Sequence, residues 1–426
     1  MIWLYRLLFL PLLLLASPYY LWRMRRRGGY AAGFTHRFGE VPALPPKQAG
    51  VARVWVQAVS VGEILAIGPL LEGLQREGRE IYLTTTTSTG YRVAREKYAG
   101  LTIGIGYFPL DFWAFSARAW RRVQPDLCLL MEGERWPEHV RAAEVRGVPV
   151  LSVNARLSDR SFRRSLRGKW LVRAMARGIT RFLCAAQRDE QRFRALGFAS
   201  ERLATTGNLK LDVTIAELDA AARAQLRREL GLPDAGLVLL GSSTWPGEEA
   251  SLLAAWQAAR GRGLAVSLLL VPRHAERREE MRALLDARGC TYHLRSQGAA
   301  TTAVEVAVGD TTGELRNLTQ LADLVFVGKS LPPHDGGQTP VEAAALGKPV
   351  LHGPAMSNFR DIVRSLTDAG AVRQVATAAE LATVALELLG DEARRGQLAK
   401  AARAWSAVNR GATARTLQEI AAALRG

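Results

Sequence analysis

Residues 54–63 of the chain read VWVQAVSVGE. The run 54–59 is almost wholly apolar, which favours a strand that is buried on both faces of a sheet. The turn Ser60-Val61-Gly62-Glu63 ends this run and leads into an amphipathic helical pattern that begins near Ile64. A buried strand followed directly by a helix is the repeating unit of a parallel sheet, since parallel strands need a crossover connection. This stretch therefore predicts an α/β fold.

The same alternation of short apolar runs and amphipathic stretches continues along the chain. It follows a proline-rich break at 41–46 and is interrupted by a polar helical stretch at 219–229. This pattern predicts two doubly wound, Rossmann-like domains, each built on a parallel sheet. The predicted strands are 54–59, 81–85, 127–131, 148–153 and 182–185 in the first domain, and 237–240, 267–271, 304–308, 324–327 and 349–351 in the second.

The length and composition agree with this division. The chain has 426 residues, 48% hydrophobic and 23% charged, so it can bury two cores. Such a composition excludes disordered, collagen-like and polytopic membrane proteins. We place the N-terminal domain at 51–215 and the C-terminal domain at 216–377. We expect residues 378–426 to form helices that pack back on both domains.

The charge balance favours an anionic partner. Lysine and arginine number 57 against 40 aspartate and glutamate, a net charge of +17. Nucleic acid, phospholipid headgroups and a phosphorylated substrate all fit this charge. Nucleic acid is the least favoured, because the chain has no RRM-like aromatic motif, helix-turn-helix signal or basic low-complexity arm. The three widely spaced cysteines predict neither a disulfide framework nor a zinc site.

The amino-terminal segment 1–22 has the length and apolarity of a membrane anchor. Because its basic cluster follows the apolar run instead of preceding it, the order is that of an uncleaved anchor and not of a signal peptide. The positive-inside rule then places the basic segment 23–50 and everything after it on the cytoplasmic side. A helix that lies on the membrane surface, or one that packs into the first domain, remains an alternative.

Glu63 is the first candidate catalytic residue. It follows a strand, where ligands of open α/β sheets bind, and Gly62 beside it would let a substrate approach the backbone. As a general base, Glu63 would take a proton from an attacking hydroxyl group. The alternative is a carboxylate that caps the helix, and the helix dipole would then lower its pKa.

Two further acids, Glu132 and Glu134, follow the strand at 127–131. If the chain stays extended there, their spacing directs both carboxylates to one side. A divalent metal is not favoured, because the chain has no D-x-D motif and no histidine beside the pair. Asn154 and Arg156 follow the predicted strand 148–153, and Lys210 follows a further apolar stretch. A lysine in this position can neutralise a leaving phosphate or a substrate carboxylate.

Candidate phosphate-binding turns follow the strands of the second domain. Ser243 and Arg273 supply hydroxyl and guanidinium donors, and the glycine-containing turns before residues 315 and 341 open helices whose free N–H groups suit anions. Glu342, in the first turn of the latter helix, could accept hydrogen bonds from ribose hydroxyl groups.

Taken together, these segments resemble the bacterial 3-deoxy-D-manno-octulosonic acid (Kdo) transferases, membrane-associated GT-B glycosyltransferases of lipopolysaccharide inner-core synthesis. The resemblance spans nearly the whole chain. The matching segments are AVSVGE (58–63), TTTTSTG (84–90), E-x-E-x-W-P (132–137), NARLSDRS (154–161), TGNLKLD (206–212), STWPGEE (243–249), VPRHAERR (271–278), GDTTGEL (309–315) and GGQTPVEAAALGKPVLHGP (336–354).

The resemblance implies a GT-B fold with a cleft between an N-terminal acceptor-binding domain and a C-terminal donor-binding domain. It implies inverting transfer of Kdo from CMP-Kdo to the lipid A precursor lipid IV(A) at the inner membrane, without a cofactor or metal. Glu63 would be the general base, and Glu132 and Lys210 would stabilise the transition state. The residues implied to hold the CMP group are Pro272, Arg273, Gly313, Glu314, Leu315, Thr339, Pro340, Val341 and Glu342.

The chain also departs from the family pattern. Gly133 stands in place of a usual threonine, Lys329 in place of a glycine, Gln338-Thr339 in place of a frequent His-Asn pair, and Trp245 at a commonly polar position. The alternative function is that of another envelope GT-B enzyme that uses a UDP-sugar.

Overall fold

The computed structural model describes residues 2–26, 33–213 and 215–425. The chain divides into two compact units, unit 1 (Met1–Asp212 and Gly411–Gly426) and unit 2 (Val213–Arg410). Within the described residues, each unit holds one seven-stranded sheet in which all neighbouring strands run parallel. The predicted pair of doubly wound α/β domains is therefore confirmed.

The sheet of unit 1 forms because its central strands are apolar on both faces. All five residues of the first strand, from Arg53 to Gln57, are buried, and Trp55 packs against Trp120. The strands, numbered along the chain, are β1 (Arg53–Gln57), β2 (Glu80–Thr85), β3 (Gly104–Tyr107), β4 (Leu127–Met131), β5 (Val150–Ala155), β6 (Arg181–Cys184) and β7 (Leu203–Thr205). Their order is β3-β2-β1-β4-β5-β6-β7. The strand order thus reverses between β1 and β4, where open α/β sheets bind ligands.

The helices of the first part of unit 1 precede or connect these strands. They are α1 (Ile2–Arg26), α2 (Val61–Ala66), α3 (Gly68–Arg76), α4 (Ser88–Tyr98), α5 (Trp113–Val123), α6 (Pro137–Glu144), α7 (Asp159–Arg167), α8 (Lys169–Met175) and α9 (Gln187–Ala195). Short 3-10 helices lie at Phe34–Phe38, Ala99–Leu101, Ser200–Arg202 and Leu209–Leu211.

Helix α1 covers the segment predicted to be a membrane anchor. No helix of the described residues is long and apolar enough to cross a bilayer. The start of α1 contacts the rest of unit 1: the Tyr5 hydroxyl donates to Asp111 (2.7 Å), and Arg6 pairs with Glu138 (2.5 Å). The predicted basic cluster follows the apolar run and lies outside the described residues. The structure does not describe the side chains of Arg23, Arg25 and Arg26, or any part of Arg27.

Unit 2 repeats the architecture. Its strands are β8 (Leu237–Thr244), β9 (Val266–Pro272), β10 (Tyr292–Leu294), β11 (Val306–Val308), β12 (Leu324–Val327), β13 (Val350–His352) and β14 (Val372–Gln374), in the order β10-β11-β9-β8-β12-β13-β14. Its helices are α10 (Ala220–Glu229), α11 (Glu248–Gly261), α12 (Arg278–Asp286), α13 (Leu315–Gln320), α14 (Val341–Ala345), α15 (Arg360–Asp368), α16 (Ala378–Gly390) and α17 (Glu392–Asn409), with 3-10 helices at Ala275–Arg277, Arg295–Gln297 and Ser357–Phe359. Here the strand order reverses between β8 and β12.

The last helix, α18 (Ala412–Arg425), returns to unit 1 and packs on α3. Gly73 permits this close approach, since a Cβ atom there would lie 2.5 Å from a methyl group of Leu417. The carboxylate of Asp212 accepts hydrogen bonds from the backbone N–H groups of Gly411 (2.8 Å) and Thr413 (2.6 Å), and so caps the helix.

Sequence patterning missed four strands, β3, β7, β10 and β14. These are the outermost strands of the two sheets. Each has three or four residues, and each includes residues that are not buried. A strand paired on one side only needs no continuous apolar run, so the signal that identified the inner strands is absent.

Candidate active site

Glu63 lies at the carboxyl end of β1, on the first turn of α2, where the strand order of unit 1 reverses. Ser60 is the N-cap of this helix, and its side chain accepts from the Glu63 backbone N–H. The Glu63 carboxylate accepts from the Val59 N–H (2.9 Å) and from the Ser60 hydroxyl (2.9 Å). The capping alternative thus describes part of what Glu63 does, and these contacts also hold its carboxylate in one orientation.

A threonine run supports this loop from the next strand. The hydroxyl groups of Thr85, Thr86 and Thr87 all donate to the carbonyl oxygen of Val59, at 3.2 to 3.3 Å. Since the N–H of the same residue holds Glu63, the run after β2 fixes the orientation of the carboxylate after β1. Gly62 leaves the space beside it open, because an added Cβ atom would meet only the Ser60 hydroxyl, at 3.9 Å.

Burial raises the pKa of Glu63 above its ordinary value, and the nearby carboxylate of Glu132 adds to the effect. The bonds from Val59 and Ser60 and the charge of Lys210 act in the opposite direction but do not cancel it. The expectation that the helix terminus would lower this pKa is therefore wrong. Desolvation is the largest effect on this pKa, because the carboxylate is buried.

Glu132 follows β4 and adopts a left-handed backbone conformation, with φ +55°. Its N–H donates to the Val153 carbonyl (2.8 Å), and its own carbonyl accepts from Ser152 (2.9 Å), so β5 holds the turn. The carboxylate accepts from the Lys210 ammonium group at 2.6 Å, and Arg156 lies 4.0 Å away. Residues that follow β4, β5 and β7 thus converge.

The prediction from the sequence assumes an extended chain that directs the carboxylates of Glu132 and Glu134 to one side. That premise is wrong, because the chain turns at residues 132 and 133. Glu134 nevertheless belongs to the same cluster: it accepts from the Trp136 indole N–H (2.8 Å) and the Gln57 amide (3.3 Å). Burial, and secondarily the charges of Glu63 and Glu132, raise the pKa of Glu134 to about 7.

Asn154 is buried at the end of β5 and supports the neighbouring loop through its side-chain oxygen. It has a left-handed conformation (φ +55°), and its side-chain oxygen accepts from the Leu209 N–H at 3.1 Å. The Asn208 side chain in turn accepts from the Lys210 N–H at 3.0 Å. These bonds orient the 3-10 helix Leu209–Leu211 and bring Lys210 toward Glu132.

The described arrangement in unit 1 combines a buried, oriented carboxylate with an ammonium–carboxylate pair. A carboxylate with a raised pKa suits general-base catalysis near neutral pH. An ammonium group beside it can stabilise developing negative charge. Gln57 was not recognised from the sequence, although a glutamine within an otherwise apolar buried strand was a signal available there.

In unit 2, the candidate donor-binding residues follow four adjacent strands at one edge of the sheet. Ser243 lies near the end of β8, Pro272 ends β9, the segment 309–315 follows β11, and the segment 336–342 follows β12. The Arg273 N–H donates to the Thr244 carbonyl at 3.1 Å, and this bond joins the carboxyl ends of β8 and β9. Glu342 pairs with Arg316 at 2.7 Å, which joins the helices α13 and α14.

Three of these residues have contacts that the sequence did not predict. The Glu314 carboxylate accepts from the Thr311 hydroxyl and pairs with Arg295 (3.2 Å), and these contacts lower its pKa, the Thr311 bond most strongly. Thr339 accepts from the Val341 N–H (3.3 Å) at the start of α14. The Glu342 carboxylate, expected to face ribose hydroxyl groups, is paired with Arg316 in this structure.

Glu248 organises the region where the strand order of unit 2 reverses, and sequence reasoning did not single it out. It is buried, and its carboxylate accepts from the N–H groups of Trp245 (2.9 Å), Lys329 (2.8 Å), Ser330 (2.9 Å) and Leu331 (3.2 Å). The acidic pair after Pro246-Gly247, at the start of a helix, was the available signal. One carboxylate therefore ties the loop after β8 to the loop after β12.

Comparison with known proteins identifies the family. Residues 32–213 match the family model described as 3-deoxy-D-manno-octulosonic-acid transferase. The chain is 38% identical over 423 residues to a 3-deoxy-D-manno-octulosonic acid transferase of Bordetella pertussis, covering 95% of this chain and 96% of the relative. It is 32% identical over 414 residues to that of Haemophilus influenzae, with 96% and 93% covered.

The fold is shared with a more distant structure. The UDP-GlcNAc 2-epimerase from Neisseria meningitidis, solved with UDP-GlcNAc bound, matches with a TM-score of 0.54 at 14% identity, over 86% of this chain and 99% of that one. At such low identity, the likeness shows the fold alone. This structural likeness, together with the two parallel sheets, confirms the GT-B fold class. The relatives of high coverage establish more: the chain belongs to the 3-deoxy-D-manno-octulosonic acid transferase family of glycosyltransferases.

Proposed function

We propose that this protein transfers Kdo from CMP-Kdo to a phosphorylated lipid A precursor, lipid IV(A), with inversion and without a metal or cofactor. Family membership supports Kdo as the transferred sugar. The observation that carries the reaction type is the buried Glu63 carboxylate, held by Val59 and Ser60 where the strand order of unit 1 reverses.

In the proposed reaction, Glu63 takes the proton of an acceptor hydroxyl group. The hydroxyl oxygen forms a bond to the anomeric carbon of Kdo on the face opposite the phosphate. The bond between that carbon and the phosphate oxygen breaks, and its electron pair leaves with CMP. Glu63 ends the step as a carboxylic acid. Its raised pKa suits this role, because a base of higher pKa accepts a proton more readily.

The pair of Lys210 and Glu132 is proposed to stabilise the transition state. Negative charge develops on the leaving phosphate, and positive charge develops at the anomeric carbon. An ammonium group compensates the first and a carboxylate the second. The 2.6 Å contact between the two groups supports their acting as one unit. Arg156, 4.0 Å from Glu132, adds a further cation.

Unit 2 is proposed to bind the CMP group along the edge formed by β11, β9, β8 and β12. The implied residues follow these four strands, and Arg273 provides a cation for the phosphate. Phosphate groups bind where backbone N–H groups and guanidinium groups converge. With this charge compensation, the proposed departure of CMP requires no metal.

We also assign the protein to the cytoplasmic face of the inner membrane, attached through α1. Supporting this, Trp3, Leu7, Leu14 and Leu15 on that helix are each at least 70% exposed, which is costly for large apolar side chains in water. The net charge of +17 suits anionic phospholipid.

The test is incubation of the full-length chain with CMP-Kdo and the lipid acceptor, followed by mass spectrometry of the lipid. We expect a product heavier by one or more Kdo residues. Parallel reactions with UDP-sugars serve as controls. A lipid product formed from a UDP-sugar and not from CMP-Kdo would overturn the proposal.

A further inference from the structure

A second candidate site lies in unit 1, beside the acid cluster and outside the residues discussed above. It is an open cavity of about 500 Å³ between α7 and α9, lined by Asp159, Phe162, Arg163, Arg188, Gln191 and Arg192. Helix α7 follows β5 and α9 follows β6, so the cavity lies at the same edge of the sheet as Glu132, which follows β4. Two strand spacings separate β4 from β6, on the order of 10 Å.

The cavity carries an excess of positive charge. Three arginines line it against one carboxylate, that of Asp159. Arg188 donates to Asp159 at 2.8 Å, and Arg192 donates to the same oxygen atom. Two guanidinium groups thus already converge on one oxyanion. Arg163 makes no ion pair with another residue of the described ranges and adds a further positive charge.

Arg192 is held firmly in place. It also donates to the Leu157 carbonyl, and its guanidinium group lies 5.4 Å from the centre of the Phe162 ring. Its side chain is only 11% exposed, so its orientation is fixed before any anion binds. Guanidinium groups pair with phosphate through two parallel hydrogen bonds, which a fixed arginine favours.

The neighbouring surface exposes large apolar side chains among its arginines and lysines, as a surface that meets lipid does. Helix α8 packs on α7 and exposes Trp170 (67%) and Leu171 (43%). Leu166 on α7 is also exposed. A cationic cavity next to exposed apolar side chains fits a phosphate that is attached to a lipid better than it fits a free phosphate ion.

We propose that Arg163, Arg188 and Arg192 bind a phosphomonoester group of the lipid acceptor and so place its sugar hydroxyl near the acid cluster. The identity of the acceptor rests on the function proposed above. The cavity itself rests on its own residues, so its binding is measured without donor or turnover.

The experiment compares binding of the bisphosphorylated acceptor lipid and of its two monophosphorylated forms, in detergent micelles, by isothermal titration calorimetry. For the unaltered chain, we expect removal of one particular phosphate to weaken binding tenfold or more. A tenfold change in affinity corresponds to about 1.4 kcal/mol, which a hydrogen bond to a charged group can supply. The variant R163Q/R188Q should bind the bisphosphorylated lipid more weakly by a similar factor. It should also become insensitive to that phosphate.

R164Q is the matched control, because it removes one exposed arginine from the same helix at a position that does not line the cavity. It should retain the discrimination between the lipids. Arg163 and Arg188 are exposed, so the double variant should keep the unfolding midpoint of the unaltered chain.

Two results would overturn the proposal: equal affinity of the unaltered chain for all three lipids, or equal weakening of all three by R163Q/R188Q. Displacement of the acceptor by inorganic phosphate, or by phosphatidylglycerol vesicles, at concentrations equal to that of the acceptor would overturn its assignment to the acceptor. Phosphate-dependent binding without Kdo transfer would reject the proposed function and leave the cavity assigned.

Discussion

The ammonium group of Lys329 lies 4.5 Å from the centre of the Trp245 indole ring. From the sequence, both residues are predicted to depart from the family pattern, and they contact each other where the strand order of unit 2 reverses. Lys329 also has a left-handed backbone (φ +57°), which explains why glycine suits the position. The two departures are therefore coupled: the aromatic ring provides a favourable contact for a side chain on an unfavourable backbone.

This coupling predicts different stabilities for two substitutions of Lys329. K329M loses the cation–π contact, about 0.5–1 kcal/mol, and keeps the strained backbone. K329G loses the contact but relieves about 1 kcal/mol of strain, so it should be the more stable of the two. Urea unfolding measures both, with K400M on the exposed surface of α17 as control. Equal stability of K329M and K329G would contradict the account.

Replacement of Glu63 by glutamine should abolish most of the turnover. The amide cannot accept the proton, and general bases contribute roughly 10²–10⁴-fold to rate. The amide oxygen of the glutamine can still accept a hydrogen bond from Val59 or Ser60. The fold of the loop should therefore persist. The rate is measured at saturating substrates, and calorimetry with CMP provides the control, because the implied CMP residues belong to unit 2. Unchanged turnover would remove Glu63 from the mechanism.

The acid limb of the pH–rate profile should respond to the two neighbours of Glu63 with opposite signs. The base is active when ionised, so activity falls as pH drops through its raised pKa. The charge of Glu132 raises this pKa and that of Lys210 lowers it. E132Q should therefore move the limb to lower pH and K210M to higher pH. As a control, E96Q removes an exposed carboxyl group on α4 and should leave the limb in place. Shifts of the same sign in E132Q and K210M would contradict the proposed cluster.

Glu134 should make the stability of the protein depend on pH. Its pKa is about 7 in the folded state, above the ordinary 4.5, so the native state binds more protons between these values. The stability it contributes is present below pH 4.5 and is lost as pH rises through 7, by up to roughly 3 kcal/mol. The difference in unfolding free energy between the unaltered chain and E134Q should fall across this window, and a constant difference would contradict the assignment.

Arg6 should stabilise unit 1 through Glu138. The guanidinium group donates to both carboxylate oxygens, at 2.5 and 2.9 Å, and Glu138 is only 3% exposed. R6M would leave a buried carboxylate without its charge partner, at a cost of about 3–5 kcal/mol. Thermal unfolding should show this loss, and R6M/E138Q should recover part of it. Equal melting of R6M and the unaltered chain would show that α1 is not held through this pair.

The inner strands, the two α/β domains, the candidate residues after strand ends and the family resemblance were all accessible from the sequence. Each depends on local signals: a continuous apolar run marks a strand buried on both faces, and a glycine or acid after it marks the ligand-binding edge. The outer strands β3, β7, β10 and β14 carry no such signal, because each has only one strand beside it.

The tertiary structure decided which of the candidate residues meet and with what charge. Glu132 and Lys210 are 78 positions apart in the chain and become a 2.6 Å pair only because β4, β5, β6 and β7 are neighbours in one sheet. The raised pKa of Glu63 depends on burial by residues distant in sequence, and so does the contact between Lys329 and Trp245. The sequence by itself determined the fold and the kinds of reactive groups, whereas packing determined their distances and protonation, since both depend on long-range contacts that no local pattern encodes.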